Sequence, residues 1–173
     1  HRLLSFFNLV EVHVLNALRR KHQVSLSKVR TTLNYLKKNF PSRHPLADRE
    51  FETDGLSIFS QHYGKLINLA ADGQLAMREI LHAHLRRIER DPSGLAIKLY
   101  LFTRKAQLVE PKTVVVDPCV AFGRPVLDGT NIATTVIAQR FKGGESIEEL
   151  ADDYGRSLKA IQEAIRFEQP EAA

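Results

Sequence analysis

Two glycines, a proline and an Asp-Gly pair lie within ten residues of the C-terminal third, in the stretch GRPVLDGTNI at 123–132. A glycine-rich loop that opens a helix can hold a phosphate through free backbone N–H groups and the positive end of the helix dipole. The stretch lacks the lysine of the P-loop pattern, and the chain contains no G-x-G-x-x-G. We therefore interpret it as a turn, in which Asp128 and Gly129 reverse the chain and Thr130 or Asn131 caps the next helix.

Histidine, cysteine and carboxylate residues give only weak signals for catalysis. Glu79 and His82 form one E-x-x-H pair, whereas a carboxylate-bridged metal pair in a helical bundle needs two copies. His82 and His84 stand two residues apart on a predicted helix, so they face in different directions. Cys119 has no histidine near it in the sequence, and we expect a small buried side chain there. The sequence thus predicts no enzyme, with no catalytic residue, metal site or cofactor.

The last two predicted helices have the spacing of a helix-turn-helix. Ala151 is small where the helices would cross, Gly155 follows in the turn, and Ile161 is apolar in the next helix. Core positions are completed by Ile147, Leu150, Leu158 and Ile165. In such a unit the last helix would lie in the major groove and present side chains that contact phosphates and base edges, namely Arg156, Ser157, Lys159, Gln162 and Arg166.

The helix before it argues against close approach to DNA, because it is acidic. Five acids occur within nine residues, namely Glu145, Glu148, Glu149, Asp152 and Asp153. Such a cluster repels a phosphate backbone at short range. A protein-docking role for this unit is therefore preferred, with DNA contact as the alternative.

Positive charge is concentrated at the N-terminal end. Residues 1–43 hold nine Lys and Arg against one acid, Glu11, which gives +8, whereas the whole chain carries +5. The candidate phosphate contacts are Arg19, Arg20, Lys21, Lys28, Arg30, Lys37 and Lys38. A basic end of this kind is the electrostatic footprint of a polyanion partner. The alternative is a solvated helical surface whose Arg19–Lys21 cluster complements a helix dipole.

Bulk composition bounds the class of protein. The chain has 173 residues, of which 43% are hydrophobic and 26% charged, as in ordinary globular proteins. One cysteine cannot form an internal disulfide, and no stretch approaches the ~20 apolar residues of a membrane span. We expect a cytoplasmic protein with no membrane partner. Because the chain starts at His1 without a methionine, we expect it to begin inside a longer protein.

Hydrophobic periodicity predicts an α+β fold that is mainly α. Helices are expected at 6–21 and from Ser25 or Ser27 to 39, then short strands at 51–53, 56–60 and 63–67, a helix at 75–90 and strands at 97–102 and 113–116. Three short helices follow at 133–142, 146–154 and 157–168, the second opened by a Ser-Ile-Glu-Glu capping box. The predicted domains are a basic helical segment at 1–45, small β-strands plus one helix at 46–110, and a tri-helical domain at 111–173.

The C-terminal segment 114–168 resembles a widespread prokaryotic domain family of unknown function. The carrying residues are a valine-rich strand, Asp117-Pro118, Gly123-Arg-Pro-Val, Gly129-Thr-x-Ile132, Gly143-Gly-Glu-Ser-Ile-Glu-Glu-Leu, Ala151-x-Asp-Tyr and Ala160-Ile-x-x-Ala-Ile. The resemblance implies a helix-turn-helix-like fold. It also implies an antitoxin that pairs with a small PIN-type ribonuclease toxin.

The first 43 residues resemble the later helices of a MerR-like winged-helix domain, through Leu3-Leu-Ser-Phe-Phe, Ala17-Leu-Arg-Arg and Val24-Ser-Leu-x-Lys-Val-Arg. Together the two halves resemble VapB-type antitoxins. That resemblance implies a cognate PIN-like (VapC-like) toxin, repression of the protein's own operon through operator DNA, and a homodimer that matches a palindromic operator. The toxin-contacting residues cannot be assigned from the sequence. The alternative function is a MerR-like one-component transcriptional regulator whose middle region binds an effector.

Overall fold

The computed structural model describes residues 4–19, 26–39, 42–103 and 110–169. Its helices are α1 (Phe6–Arg19), α2 (Leu26–Asn39), α3 (Leu56–Leu66), α4 (Ala71–Leu85), α5 (Thr134–Lys142), α6 (Ile147–Tyr154) and α7 (Leu158–Glu168). Its strands are β1 (Ile88–Arg90), β2 (Ala96–Tyr100), β3 (Val114–Val116) and β4 (Val126–Leu127). The predicted α+β class with a dominant helical content is confirmed. Among these helices, none has the length and apolar content that a bilayer crossing requires.

The chain forms two compact units, residues 1–96 and 97–173. The first unit packs α1 against α4 and α3 against both α2 and α4. Ser5 caps α1, since its Oγ accepts the Asn8 N–H at 3.2 Å. Val10, Val14 and Ala17 are buried while Val12 is half exposed, so α1 buries one stripe and is less enclosed than its all-round apolar sequence indicates.

The strands predicted at 51–53, 56–60 and 63–67 are wrong. A π-helical turn at Phe51–Gly55 leads directly into α3. Phe51, Phe59 and Tyr63 are buried at helical spacing, and the Phe59 and Tyr63 rings stack with centroids 5.7 Å apart. Gly55 has helical backbone angles, and the Phe51 ring lies 3.1 Å from where a Cβ of Gly55 would be. Burial of these aromatic rings has overridden the local strand-like pattern.

A small sheet in the second unit places its strands in the order β2-β3-β4. In the second unit, β3 pairs antiparallel with β2, with Leu99 opposite Val116, and antiparallel with β4, with Val115 opposite Val126. The strands predicted at 97–102 and 113–116 are therefore present. The β region of the second unit is the sheet of β2, β3 and β4, whereas 51–67 in the first unit is helical. The division into domains 1–45, 46–110 and 111–173 stays a prediction.

Three helices and β4 enclose the core of the second unit. The buried side chains at its centre are Leu127, Ile137, Leu150, Ala151, Ile161, Ala164 and Ile165. Of the core positions predicted from the sequence, Leu158 is the exception, with 46% of its surface exposed. This core fixes the outer faces of α5, α6 and α7, on which the candidate binding residues lie.

Candidate nucleic-acid and partner interface

The α6-turn-α7 segment has the helix caps and the glycine turn that the sequence predicts for a helix-turn-helix. Ser146 and Glu149 form the capping box, in which the Ser146 N–H donates to Glu149 Oε2 at 2.7 Å. Gly155 takes the left-handed conformation, with φ 59°, and the Arg156 N–H closes the turn on the Ala151 carbonyl at 2.9 Å. Ser157 then caps α7 by accepting the Ala160 N–H. The turn therefore sets the direction in which α7 leaves the unit.

The structure places all five predicted α7 contact residues on the surface: Arg156, Ser157, Lys159, Gln162 and Arg166 are exposed. Two of the cations are engaged locally, because Arg166 donates to Glu163 Oε1 at 2.8 Å and Arg156 reaches the Gly129 carbonyl at 3.4 Å. Glu163 is buried although it is charged. The exposed face of α7 thus keeps the residue types of a phosphate-contacting surface.

Arg140 on α5 pairs with two of the five acids that the sequence places around α6. Its guanidinium donates to both carboxylate oxygens of Glu145 and to Asp153, and it lies over the Tyr154 ring at 5.0 Å from the centroid. The hydrogen bonds to Glu145 and then to Asp153 raise the pKa of Arg140, and the Arg140 hydrogen bond lowers the pKa of Glu145. The backbone and side-chain hydrogen bonds of Ser146 lower the pKa of Glu149. Three of the five acids, Glu145, Glu149 and Asp153, are therefore engaged in contacts within the unit.

The Arg140 cluster predicts a pH-dependent stability. Because the folded-state pKa of Glu145 is depressed, its contribution is present above the unfolded pKa of about 4.3 and is lost as pH falls through the folded value. The melting temperature of Arg140→Gln should lie below that of the parent chain at pH 7, and the gap should close between about pH 5 and pH 3. The effect is small because both side chains are partly open to solvent, which screens their interaction. A gap that is constant over this pH range would contradict the assignment.

The basic residues of the N-terminal segment are presented on α2. Lys28, Arg30, Lys37 and Lys38 are all exposed. The opposite side of the helix is buried through Val29, Thr32 and Leu36. Arg19 is the last residue of α1, whereas Arg20 and Lys21 lie outside the described residues. Four of the seven predicted N-terminal cations thus lie on α2 with their side chains exposed.

The stretch 123–132 is a turn, as predicted. Gly129 has φ 70°, and β4 on one side bridges to Ala133 on the other through Val126. The predicted cap is wrong, because α5 is entered through Ala133 with no side-chain cap. Thr130 instead accepts the Ile132 N–H at 3.0 Å and donates to the Leu127 carbonyl. The Thr134 N–H at the start of α5 is already used by the Pro125 carbonyl, which disfavours a phosphate cradle.

The cysteine and histidine positions give no metal centre in the described part of the chain. Cys119 is exposed, so its predicted burial is wrong; it sits in a turn where its N–H donates to Asp117 Oδ1 at 2.8 Å. His84 is buried and hydrogen-bonds the Ile80 carbonyl, whereas Glu79 and His82 are exposed. Within the described ranges no three His, Cys, Asp or Glu side chains gather as a metal would require.

Phe122 is a surface feature that the sequence did not single out. Its side chain is 98% exposed, and Ala121, Phe122 and Gly123 form consecutive left-handed residues with φ 47°, 57° and 73°. The left-handed conformation costs a non-glycine residue about 1–2 kcal/mol. The only available sequence signal was an aromatic residue flanked by Ala and Gly inside a turn, and aromatic residues in such places are common.

Strain at this position leads to a stability prediction. Phe122→Gly should raise the free energy of unfolding by about 0.5–1 kcal/mol, because relief of about 1–2 kcal/mol of strain exceeds the extra backbone entropy that glycine gains in the unfolded chain. Phe122→Ala is the matched control, since it removes the same exposed ring and keeps the strain. Urea denaturation of both variants provides the measurement. A Phe122→Gly variant that is about 0.5–1 kcal/mol less stable than Phe122→Ala, which is the entropic cost of glycine alone, would show that the backbone at 122 is unstrained.

The chain is similar to several known proteins. Residues 114–167 match the family model described as "Protein of unknown function (DUF433)". The chain is 28% identical over 177 aligned residues, with 95% of this chain and 71% of the relative covered, to a Mycobacterium tuberculosis protein named "Putative antitoxin VapB45". It also resembles the X-ray crystal structure of Rv2018 from Mycobacterium tuberculosis, with a TM-score of 0.71, 26% identity, and coverage of 94% of this chain and 78% of that one.

A second mycobacterial relative defines the family. The Mycobacterium tuberculosis protein named "Uncharacterized protein Rv2308" is 32% identical over 170 aligned residues, which cover 91% of this chain and 68% of the relative. An alignment of that length extends through both compact units. The chain belongs to the same protein family as Rv2308.

Proposed function

We propose that this chain is the antitoxin of a type II toxin-antitoxin system and that it neutralises a PIN-type, VapC-like ribonuclease. The observation that carries the proposal is the alignment of 95% of the chain with a relative that is named as an antitoxin. On this proposal the protein is a cytoplasmic binding protein, and it acts through surfaces that contact the toxin and DNA rather than through a catalytic site. The second unit offers two surfaces to a protein partner. One is the partly self-paired acidic face of α6. The other is a groove beside Phe122 that is also lined by Ile132, Val136 and Tyr154.

We further propose that the protein represses its own operon by binding operator DNA as a homodimer. The exposed cations of α2 would contact phosphates, and those of α7 provide a second candidate surface. The surplus of positive charge in the first 43 residues supports α2 as the main phosphate contact. A two-fold symmetric protein would match a palindromic operator.

One observation favours the alternative, a MerR-like one-component regulator with an effector-binding middle region. The first unit contains a cavity of about 420 Å³ lined by apolar and polar residues: Leu36, Asn39, Ser42, Pro45, Asp48, Glu50, Phe51 and Gly55. A pocket of this volume and mixed lining can hold a small molecule. On this alternative no toxin is involved, and the cavity ligand controls DNA binding.

Co-expression separates the two functions. The full chain is produced with the protein of the adjacent reading frame, one of the two carrying an affinity tag. The antitoxin proposal expects a stable complex that survives gel filtration. The regulator alternative expects the two proteins to elute separately, and that outcome would overturn the antitoxin proposal.

A further inference from the structure

We propose that Phe122 and the groove beside it form a docking face for a partner segment that offers an apolar side chain next to a carboxylate. The inference rests on the proposed function, under which the partner is the toxin. It assigns the toxin-contacting residues that the sequence alone cannot name. Four observations carry it: the strain at Phe122, the hydrogen bonds of its loop, the lining of the groove and the charge at its rim.

The fold holds Phe122 in the solvent at a cost. Phe122 is 98% exposed, and both it and Ala121 have left-handed backbone angles. Strain of this kind persists where the surrounding structure enforces it, and it clusters at functional sites and ligand clamps. An exposed aromatic side chain held in a strained conformation is therefore a candidate anchor for binding.

Hydrogen bonds hold the loop that carries Phe122. Asp117 accepts the Cys119 N–H on its carboxylate at 2.8 Å and the Val120 N–H on its carbonyl at 3.0 Å. The Gly123 N–H then returns to the Val120 carbonyl at 2.9 Å. Because the loop is ordered before binding, an anchor on it loses little conformational entropy when a partner docks.

The groove beside Phe122 is mainly apolar. It encloses about 390 Å³, and its lining residues are Ala121, Phe122, Arg124, Asn131, Ile132, Ala133, Val136 and Tyr154. Val136 on α5 is 45% exposed although it is aliphatic. A groove of this size next to a projecting ring can receive a large apolar side chain while Phe122 inserts into the partner. Aromatic anchors that meet pockets in this way dominate interface energetics.

Charge at the rim identifies the chemistry of the occupant. Arg124 is the charged residue of the lining; it is exposed and makes no side-chain hydrogen bond or ion pair within the described part of the chain. Arg140, by comparison, is saturated by Glu145 and Asp153. A free guanidinium beside an apolar groove is complemented by a carboxylate on the partner, because bidentate Arg–carboxylate pairing is strong and directional.

The same charge disfavours a second copy of this chain. A two-fold symmetric contact places the same patch on both sides of the interface. Because Arg124 lines the same groove as Phe122, such a contact would place two Arg124 side chains within one small interface. Like charges at an interface are unfavourable. We therefore assign the groove to a different protein.

The test compares variants for binding to the adjacent-frame protein, using the full chain and calorimetric titration. Phe122→Ser should weaken Kd at least about thirty-fold, as for an anchor residue. Arg124→Glu should weaken it by about tenfold or more, and Arg124→Lys by less. Leu158→Ala is the matched control, because Leu158 is an exposed aliphatic residue of the same unit outside the groove. It should bind within a factor of about two.

Each outcome decides a different question. If the parent chain and Leu158→Ala bind tightly and the Phe122 and Arg124 variants do so equally, the docking face is overturned and the antitoxin function stands. If the parent chain does not bind, the antitoxin proposal fails and this inference fails with it. If light scattering shows a homodimer that Phe122→Ser dissociates, the groove belongs to a second copy and the assigned occupant is wrong. Unchanged circular dichroism spectra would show that the variants are folded.

Discussion

Replacement of Leu150 by alanine should destabilise the second unit by about 2–5 kcal/mol, the range found for buried leucine deletions. Leu150 is fully buried in the cluster that joins α5, α6 and α7, and it packs with Ile137 and Ile161. A cavity at this point would loosen all three helices, because each depends on the same core. Hydrogen exchange of the full chain, followed by mass spectrometry, would show faster exchange of amides at 134–168.

Val136→Ala is the control for the core variant. Val136 lies on the same unit and loses two methyl groups, but it is 45% exposed. Its effect should stay below about 1 kcal/mol, since surface substitutions are usually small. Equal protection of 134–168 in the Leu150 variant and the parent chain would mean that these helices do not share one core.

Removal of the α2 cations should have the second large effect. The combined change of Lys28, Arg30, Lys37 and Lys38 to glutamine should weaken operator binding by roughly 10²–10³-fold at low salt, if each cation neutralises one phosphate. The salt dependence of log K should flatten by about 0.9 per lost contact. Electrophoretic mobility shifts at several salt concentrations would measure both quantities.

Two control variants accompany that experiment. Lys65→Gln removes an exposed lysine from α3 and should leave operator binding unchanged. Glutamine at Arg156, Lys159 and Arg166 tests α7 as the competing surface. If the quadruple α2 variant keeps the parent's salt slope while the α7 variant binds the operator with a flatter slope, the DNA-contacting surface is α7 and the assignment to α2 is wrong.

Helix caps and turns made the C-terminal third predictable from the sequence. The capping box at Ser146, the left-handed Gly155 and the cap at Ser157 are local devices, so a few adjacent residues specify them. The region 51–67 was not predictable in the same way. Its helix depends on burial of Phe51, Phe59 and Tyr63 against α2 and α4, and those contacts are distant in sequence.

The candidate interface was partly predictable. Exposure of the α2 and α7 cations follows from amphipathic periodicity, and the structure agrees. Pairing of Arg140 with Asp153 joins residues of different helices, so no local pattern indicates it. The exposure of Phe122 depends on three successive left-handed residues, two of which are not glycine. Such strain has no sequence signature, because L-residues ordinarily avoid that conformation.

The most direct test of the central claim is a titration of ribonuclease activity. The adjacent-frame protein is assayed on single-stranded RNA while the full chain is added from zero to a twofold molar excess. We expect activity to fall linearly and to vanish at a fixed stoichiometric ratio, with Phe122→Ser requiring a large excess. Ribonuclease activity that persists undiminished in the presence of excess parent chain would contradict the antitoxin function.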